Sequence, residues 1–350
     1  FKMRFFFRHK KQIILGIHGL GNKPPQDTLT LWWLNSMREG LQRIGKTRLY
    51  IPFELVYWAD VLYDEPLDPS ITDPAHALFN AEPYMEVKPG QVVRPVTFRK
   101  KIMRFIESKL DKIFLKNDMT LNFEGLTDIF ISKYFHDLET YFGDRLNPVE
   151  NPHDSAKGLI RKRLIDALTR YRNYEIMLIG HSMGSIIAYD VLMQYQQVLE
   201  VHTLVTMGSP LGLPVIVSRI NMELKKLNPD LKKPPAPEKV SYNWYNISDE
   251  DDNVALDHSI SNDYEKNEKG INVEDINVCN DYEINGKGNP HKVYGYLRTP
   301  EFARIIDQFL IKEKRNIFYI GFKSIQGSLQ KAADKILKIF GGKNRGGQPL

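Results

Sequence analysis

A pentapeptide, Gly180-His181-Ser182-Met183-Gly184, stands between two segments of opposite character. Before it, Tyr174 to Ile179 is a short apolar run of the kind that forms a strand buried on both faces of a parallel sheet. After it, Ile187, Val191 and Tyr195 recur every four residues, which is a helical face. A strand that becomes a helix within so few residues leaves the serine in a strained turn, its hydroxyl pushed out above the sheet. The flanking glycines are needed because a Cβ there would clash as strand and helix close on each other. The helix N-terminus beneath favours developing negative charge. This is the arrangement of a nucleophile elbow. The competing reading is a serine that merely caps a helix, and the rest of the chain decides between them.

Taken in order, the chain alternates strand and helix signals. Lys2 to Arg8 is short, apolar and basic, an expected edge strand. Gln12 to Ile17 reads as a buried strand that runs into His18-Gly19-Leu20-Gly21. Thr28 to Ile44 reads as a helix, and Leu49 to Leu62 contains a strand with Phe53, Leu55, Tyr57 and Ala59 alternating. Tyr63 to Pro95 is proline-rich and irregular. Apolar stripes at Phe98 to Phe114 and Leu126 to Phe142 predict an inserted helical hairpin. Asp154 to Tyr171 is a further helix. Beyond the elbow follow a strand at Val201 to Met207, a helix to about Leu227, a strand at Val240 to Ile247, a strand or strand pair within Ile271 to Tyr282, and a helix at Glu301 to Ile311. This alternation predicts an α/β fold: a mostly parallel sheet with helices on both faces.

A serine hydroxyl is a poor nucleophile near neutral pH. It needs a histidine to take its proton, a carboxylate to orient the histidine, and donors for the oxyanion. In this architecture the partners follow in the order Ser, Asp/Glu, His. The loop after Val240 to Ile247 opens Ser248-Asp249-Glu250-Asp251-Asp252-Asn253-Val254-Ala255. Asp252 is the preferred acid, Asp251 the second and Asp249 the third. An EF-hand reading fails, because its required Gly would be Val254 and its terminal Glu would be Ile260. A solvated acidic turn is the remaining alternative. The base is placed at His291, after the last core strand and before the final helix, with His258 as runner-up. His181 is read as supporting the elbow. Met183 supplies one oxyanion N–H and Leu20 the other, with Gly19 next in line for Leu20. A dinucleotide loop at Gly16 to Gly21 is disfavoured, since the third glycine of that motif would be Pro24.

Together His18-Gly19-Leu20-Gly21, the elbow, Met207-Gly208-Ser209-Pro210-Leu211, the Asp252 turn and the His291 turn resemble the α/β-hydrolase superfamily, specifically its lipase and carboxylesterase-like members. Asp252-Asn253-Val254-Ala255 is similar to the Asp-Pro-Val-Ala turn of many such enzymes, with Asn253 in place of proline. The resemblance implies hydrolysis of a carboxylic ester or lipid through an acyl-serine, with Ser182, His291 and Asp252 as the triad. It implies no cofactor and no metal. A thioesterase or amidase would use the same residues. The other class of function is a non-catalytic or weakly catalytic membrane-associated module on a hydrolase scaffold.

The core is expected over 1–312, with 63–150 inserted as a helical cap, read either as a moving lid or as a fixed extra layer. Residues 313–350 form a basic tail. Phe318, Phe322, Ile325, Leu329, Ala332, Ile336 and Phe340 make an amphipathic stripe. That helix suits either a membrane surface, through 317–340, or docking on the chain itself or a second subunit of a homo-oligomer. From Lys312 to Arg345 there are nine Lys/Arg against Glu313 and Asp334, a surplus of seven in a chain of net charge +5. The basic balance therefore belongs to the tail, and no nucleic-acid partner is expected. The single Cys279 excludes an intramolecular disulfide and fits a reducing, cytoplasmic setting, to which the tail adds the option of peripheral membrane contact. No apolar run reaches membrane-span length. No signal peptide is visible, and the start at Phe1 leaves secretion after removal of a leader open.

Overall fold

Six parallel strands form one sheet in the order β2-β1-β3-β4-β5-β6. They are β1 (Gln12–Ile17), β2 (Phe53–Val56), β3 (Glu175–His181), β4 (Val201–Met207), β5 (Val240–Asp249) and β6 (Val273–Val278). The helices are α1 (Gln26–Arg43), α2 (Ala156–Arg170), α3 (Met183–Gln194), α4 (Pro214–Lys225), α5 (Val293–Leu297) and α6 over 300–311. The computed structural model describes residues 10–87, 141, 155–195, 200–226, 228–252, 254–255 and 258–311. The expected edge strand at Lys2 to Arg8, the helical hairpin apart from Tyr141, and the basic tail lie outside these residues.

The apolar runs are continuous because both faces of the sheet are covered. Ile13, Leu15 and Ile17 of β1 join one core with Ile176 and Leu178 of β3, packed by α2, α3 and α4. Ile14, Met177 and Ile179 join the other, packed by α1, α5 and α6 through Trp33, Tyr296 and Phe302. Ser155 caps α2 by accepting the Gly158 N–H.

Strand order decides where a site can form. From β1 the chain steps outward to β2, then returns to place β3 on the other side of β1. The loops leaving β1 and β3 therefore diverge, and the carboxyl ends of these two strands open a crevice at the switch point. The loop after β1 and the elbow after β3 both lie there.

Two details differ from the sequence expectations. β5 runs to Asp249, so that residue ends a strand and does not sit in the loop. A small hairpin, β7 (Glu283–Ile284) and β8 (Lys287–Gly288), follows β6. Its turn is Asn285-Gly286, both at positive φ, and that dipeptide is the usual signal for a two-residue hairpin turn.

Candidate active site

Ser182 is the only residue between β3 and α3, at φ 53° and ψ −127°. A non-glycine residue there is strained, and the surroundings hold it. Its N–H donates to the Met207 carbonyl at 2.9 Å. Its carbonyl accepts from the Ser185 N–H at 2.9 Å and from the Ser185 hydroxyl at 2.5 Å. The glycines give the room expected of them. A Cβ on Gly180 would lie 2.7 Å from the Ser185 Cα, and one on Gly184 would lie 2.3 Å from the Ile17 carbonyl oxygen. Gly184 thus lets the start of α3 cross directly over the end of β1.

The structure brings Ser182, His291 and Asp252 together. The Ser182 hydroxyl is 3.1 Å from His291 Nε2. His291 Nδ1 is 2.9 Å from Asp252 Oδ2 and 3.0 Å from Oδ1. A carboxylate can only accept, so Nδ1 carries the proton and Nε2 is left bare to accept from the serine. Asp252 is fully buried and also accepts the Val254 N–H at 2.8 Å and the Tyr296 hydroxyl at 2.7 Å. Burial alone would raise its pKa. The His291 imidazole outweighs this together with the two other donors, and holds the carboxyl below its ordinary value.

The other acidic candidates are employed elsewhere or exposed. Asp249 accepts the Asn280 N–H at 2.5 Å and the Asp251 N–H at 2.8 Å, and burial pushes its carboxyl up. Asp251 is exposed. His258, the alternative base, offers its carbonyl to the Ser248 hydroxyl at 3.2 Å.

Leu20 and Met183 flank the serine from the two diverging loops. Met183 is the first residue of α3, where a backbone N–H has no intrahelical acceptor. A Cβ on Gly19 would sit 2.6 Å from the Ser182 Cβ, so the loop after β1 lies against the serine. His18 anchors that loop. Its Nε2 accepts the Trp58 N–H at 3.0 Å, which assigns the proton to Nδ1, and Nδ1 donates to the Gly19 carbonyl at 2.9 Å. The Trp58 indole N–H returns to the His18 carbonyl at 2.9 Å, and the rings stack at 4.7 Å. Lys23 Nζ donates to the Gly21 carbonyl at 2.8 Å and also to that of Leu20.

Several supports were not legible from spacing. Asn280 Nδ2 bridges the Pro290 and Lys292 carbonyls at 2.7 and 2.8 Å, holding both sides of the base. His181, read from the sequence as supporting the elbow, donates through Nε2 to the His291 carbonyl at 2.8 Å. Glu82, from the irregular stretch, accepts from Asn289 at 2.6 Å and from Lys292 at 3.0 Å. No local pattern marks Asn280 or Glu82, whose partners lie ten or more residues away.

The site opens into a cleft of about 960 Å³. One wall is the described part of the 63–150 stretch, with Leu67, Leu78 and Phe79, continued by Leu62 just before it. That wall is fastened to the core. Leu67 N–H donates to the Lys23 carbonyl at 2.9 Å, Tyr282 OH to the Pro83 carbonyl at 2.7 Å, and Arg298 to the Met85 carbonyl at 2.8 Å. Among the described residues, no group of His, Cys, Asp and Glu could hold a metal ion, and no helix is long and apolar enough to cross a membrane.

Residues 154–276 match the family model described as a PGAP1-like alpha/beta domain. That segment is a PGAP1-like α/β-hydrolase domain. The match begins at α2, takes in the elbow, β4, β5 and the Asp252 loop, and ends within β6. The loop after β1 and the His291 turn lie outside it and meet the PGAP1-like segment in space. No curated protein matches the sequence. The parallel sheet, the elbow and the domain match together mark the chain as a hydrolase of the serine type.

Two buried histidines beside the site give the fold a definite response to acid. Burial holds His18 and His181 well below the ordinary imidazole pKa of 6.5, helped by Lys23 at His18 and by His291 at His181. Both stay neutral in the fold and gain protons on unfolding. Stability is therefore full above about pH 6.5 and falls as pH drops below it, by up to about 2.7 kcal/mol per pH unit for the pair. Denaturant titrations across that range measure the slope. His181→Gln is expected to roughly halve it, and a flat profile would refute the assignment.

Proposed function

We propose that the chain hydrolyses carboxylic esters, through a covalent acyl-serine, with Ser182 as nucleophile, His291 as general base and acid, and Asp252 as the orienting carboxylate. The observation that carries this reading is the continuous hydrogen-bonded relay from Ser182 through His291 to Asp252 at a strained elbow. His291 Nε2 takes the serine proton as Oγ attacks the ester carbonyl, and Asp252 stabilises the imidazolium that forms. The oxyanion is received by the N–H groups of Met183 and Leu20. Nε2 then hands its proton to the departing alkoxide. Water enters and gives a proton to the same nitrogen as its hydroxide attacks the acyl carbonyl; when the acid leaves, Nε2 returns that proton to Ser182 Oγ, so the enzyme returns unchanged.

The cleft favours an ester with an extended acyl group. Leu62, Leu67, Leu78 and Phe79 offer apolar wall in the cleft that Ser182 also lines. Each buried methylene is worth about 0.8 kcal/mol, roughly three- to fourfold in kcat/KM. Across nitrophenyl esters from acetate to palmitate, kcat/KM is expected to rise at about that rate until the cleft is filled. A decline from acetate onward would overturn the extended-acyl assignment and favour a small-ester esterase.

A further inference from the structure

Tyr296 takes no part in the steps above, yet its hydroxyl is wired into the acid. It is fully buried on α5, on the same short segment as the base. The hydroxyl donates to Asp252 Oδ2 at 2.7 Å, the oxygen that also accepts from His291 Nδ1 at 2.9 Å. It accepts the Asp249 N–H at 3.0 Å from the end of β5. His291 and Tyr296 therefore grip one carboxylate oxygen from one piece of backbone. The accepted N–H polarises the O–H and strengthens its donation. Burial and then Asp252 hold the tyrosine hydroxyl protonated well above its ordinary pKa, so it remains a donor at any pH at which an ester hydrolase works.

We propose that Tyr296 is a positioning residue that sets, through Asp252, how strongly the carboxylate pulls on the His291 Nδ1 proton. The proposal rests on the reading of Ser182, His291 and Asp252 as the hydrolytic relay. A hydroxyl proton on Oδ2 draws charge from the carboxylate and locks its rotation. Without it the carboxylate turns more freely, and it stabilises an imidazolium more strongly. The base is then less well aimed and is protonated at higher pH.

The titratable neighbours of Tyr296 are Asp252 and Asp249 from β5 and its loop, and His181 from β3 with ring centroids 6.3 Å apart. Those facing His291 are Asp252, His181 at 4.9 Å, and Glu82 and Lys292 at the cleft wall. All of these are common to wild type and variant, so the difference between the two isolates the hydroxyl.

Tyr296→Phe keeps the ring and removes the donor. Active enzyme is counted by fluorophosphonate labelling. Per active site, kcat/KM is expected to fall about tenfold. The acidic limb of its pH profile is expected to rise by roughly half a unit. The downfield proton resonance of His291 Nδ1–H moves further downfield. A merely structural role would lower the active fraction and leave limb and resonance in place. Replacing Tyr296 by 3-fluorotyrosine gives a stronger donor of nearly the same shape, so limb and resonance are expected to move the opposite way. That replacement decides the matter if the phenylalanine variant does not fold. An unmoved limb and resonance overturn the proposal. The resonance reads the Asp252–His291 contact without turnover, so it tests Tyr296 separately. The hydrolase reading falls if wild type neither takes the label nor hydrolyses any ester.

Discussion

Ser182→Ala is expected to abolish ester turnover, by on the order of a millionfold if serine, histidine and carboxylate act as a unit. The fold should survive, because the contacts that hold the elbow are made by the backbone of residue 182 and not by its hydroxyl. The Ser182 N–H bonds to the Met207 carbonyl, and its own carbonyl is held by Ser185. Relief of nothing but a hydroxyl leaves the positive φ in place. Labelling by a fluorophosphonate and hydrolysis of an acyl ester should vanish together while the unfolding free energy stays within about 1 kcal/mol of wild type. Near-normal hydrolysis by the variant would sink the nucleophile assignment. Absence of labelling in wild type would favour a non-catalytic scaffold instead.

The second large effect is at the acid. Asp252→Asn preserves volume but offers an NH₂ where His291 now finds an acceptor. The imidazole can no longer keep its proton on Nδ1 with Nε2 bare, so the wrong tautomer faces the serine, and kcat is expected to drop by about ten-thousandfold. The neighbouring acids supply the controls. Asp251 is exposed, so Asp251→Asn should leave turnover nearly unchanged. Asp249→Asn keeps an acceptor for the Asn280 N–H and should act on stability more than on rate. A larger kinetic loss at 249 or 251 than at 252, measured side by side, would move the acid.

The elbow was readable because its demands are local: strand, glycine, serine, glycine and helix must follow one another within a few residues. The parallel sheet was readable for a related reason, since strands buried on both faces cannot afford polar alternation. The acid needed only a turn placed after a strand, although β5 ran two residues further than its apolar pattern and absorbed Asp249. What spacing could not supply is the set of contacts that hold the base. Asn280, Glu82 and Tyr296 each reach the His291 segment or its acid from other parts of the chain or across a buried turn. Nothing in their neighbours along the sequence distinguishes them from ordinary polar residues. His18 stood in plain view in the first loop, but its value depends on Trp58, which lies beyond a helix and a strand.

The two bonds made by Glu82 bear on how such an enzyme could be re-engineered or diversified. The stretch that shapes the substrate cleft is also fastened to the residues on either side of the base. Pocket shape and base alignment are therefore not independent modules in this chain. A wall transplanted from another hydrolase would import a new substrate preference and loosen the proton relay in the same operation, unless the graft also carried an acceptor for Asn289 and Lys292.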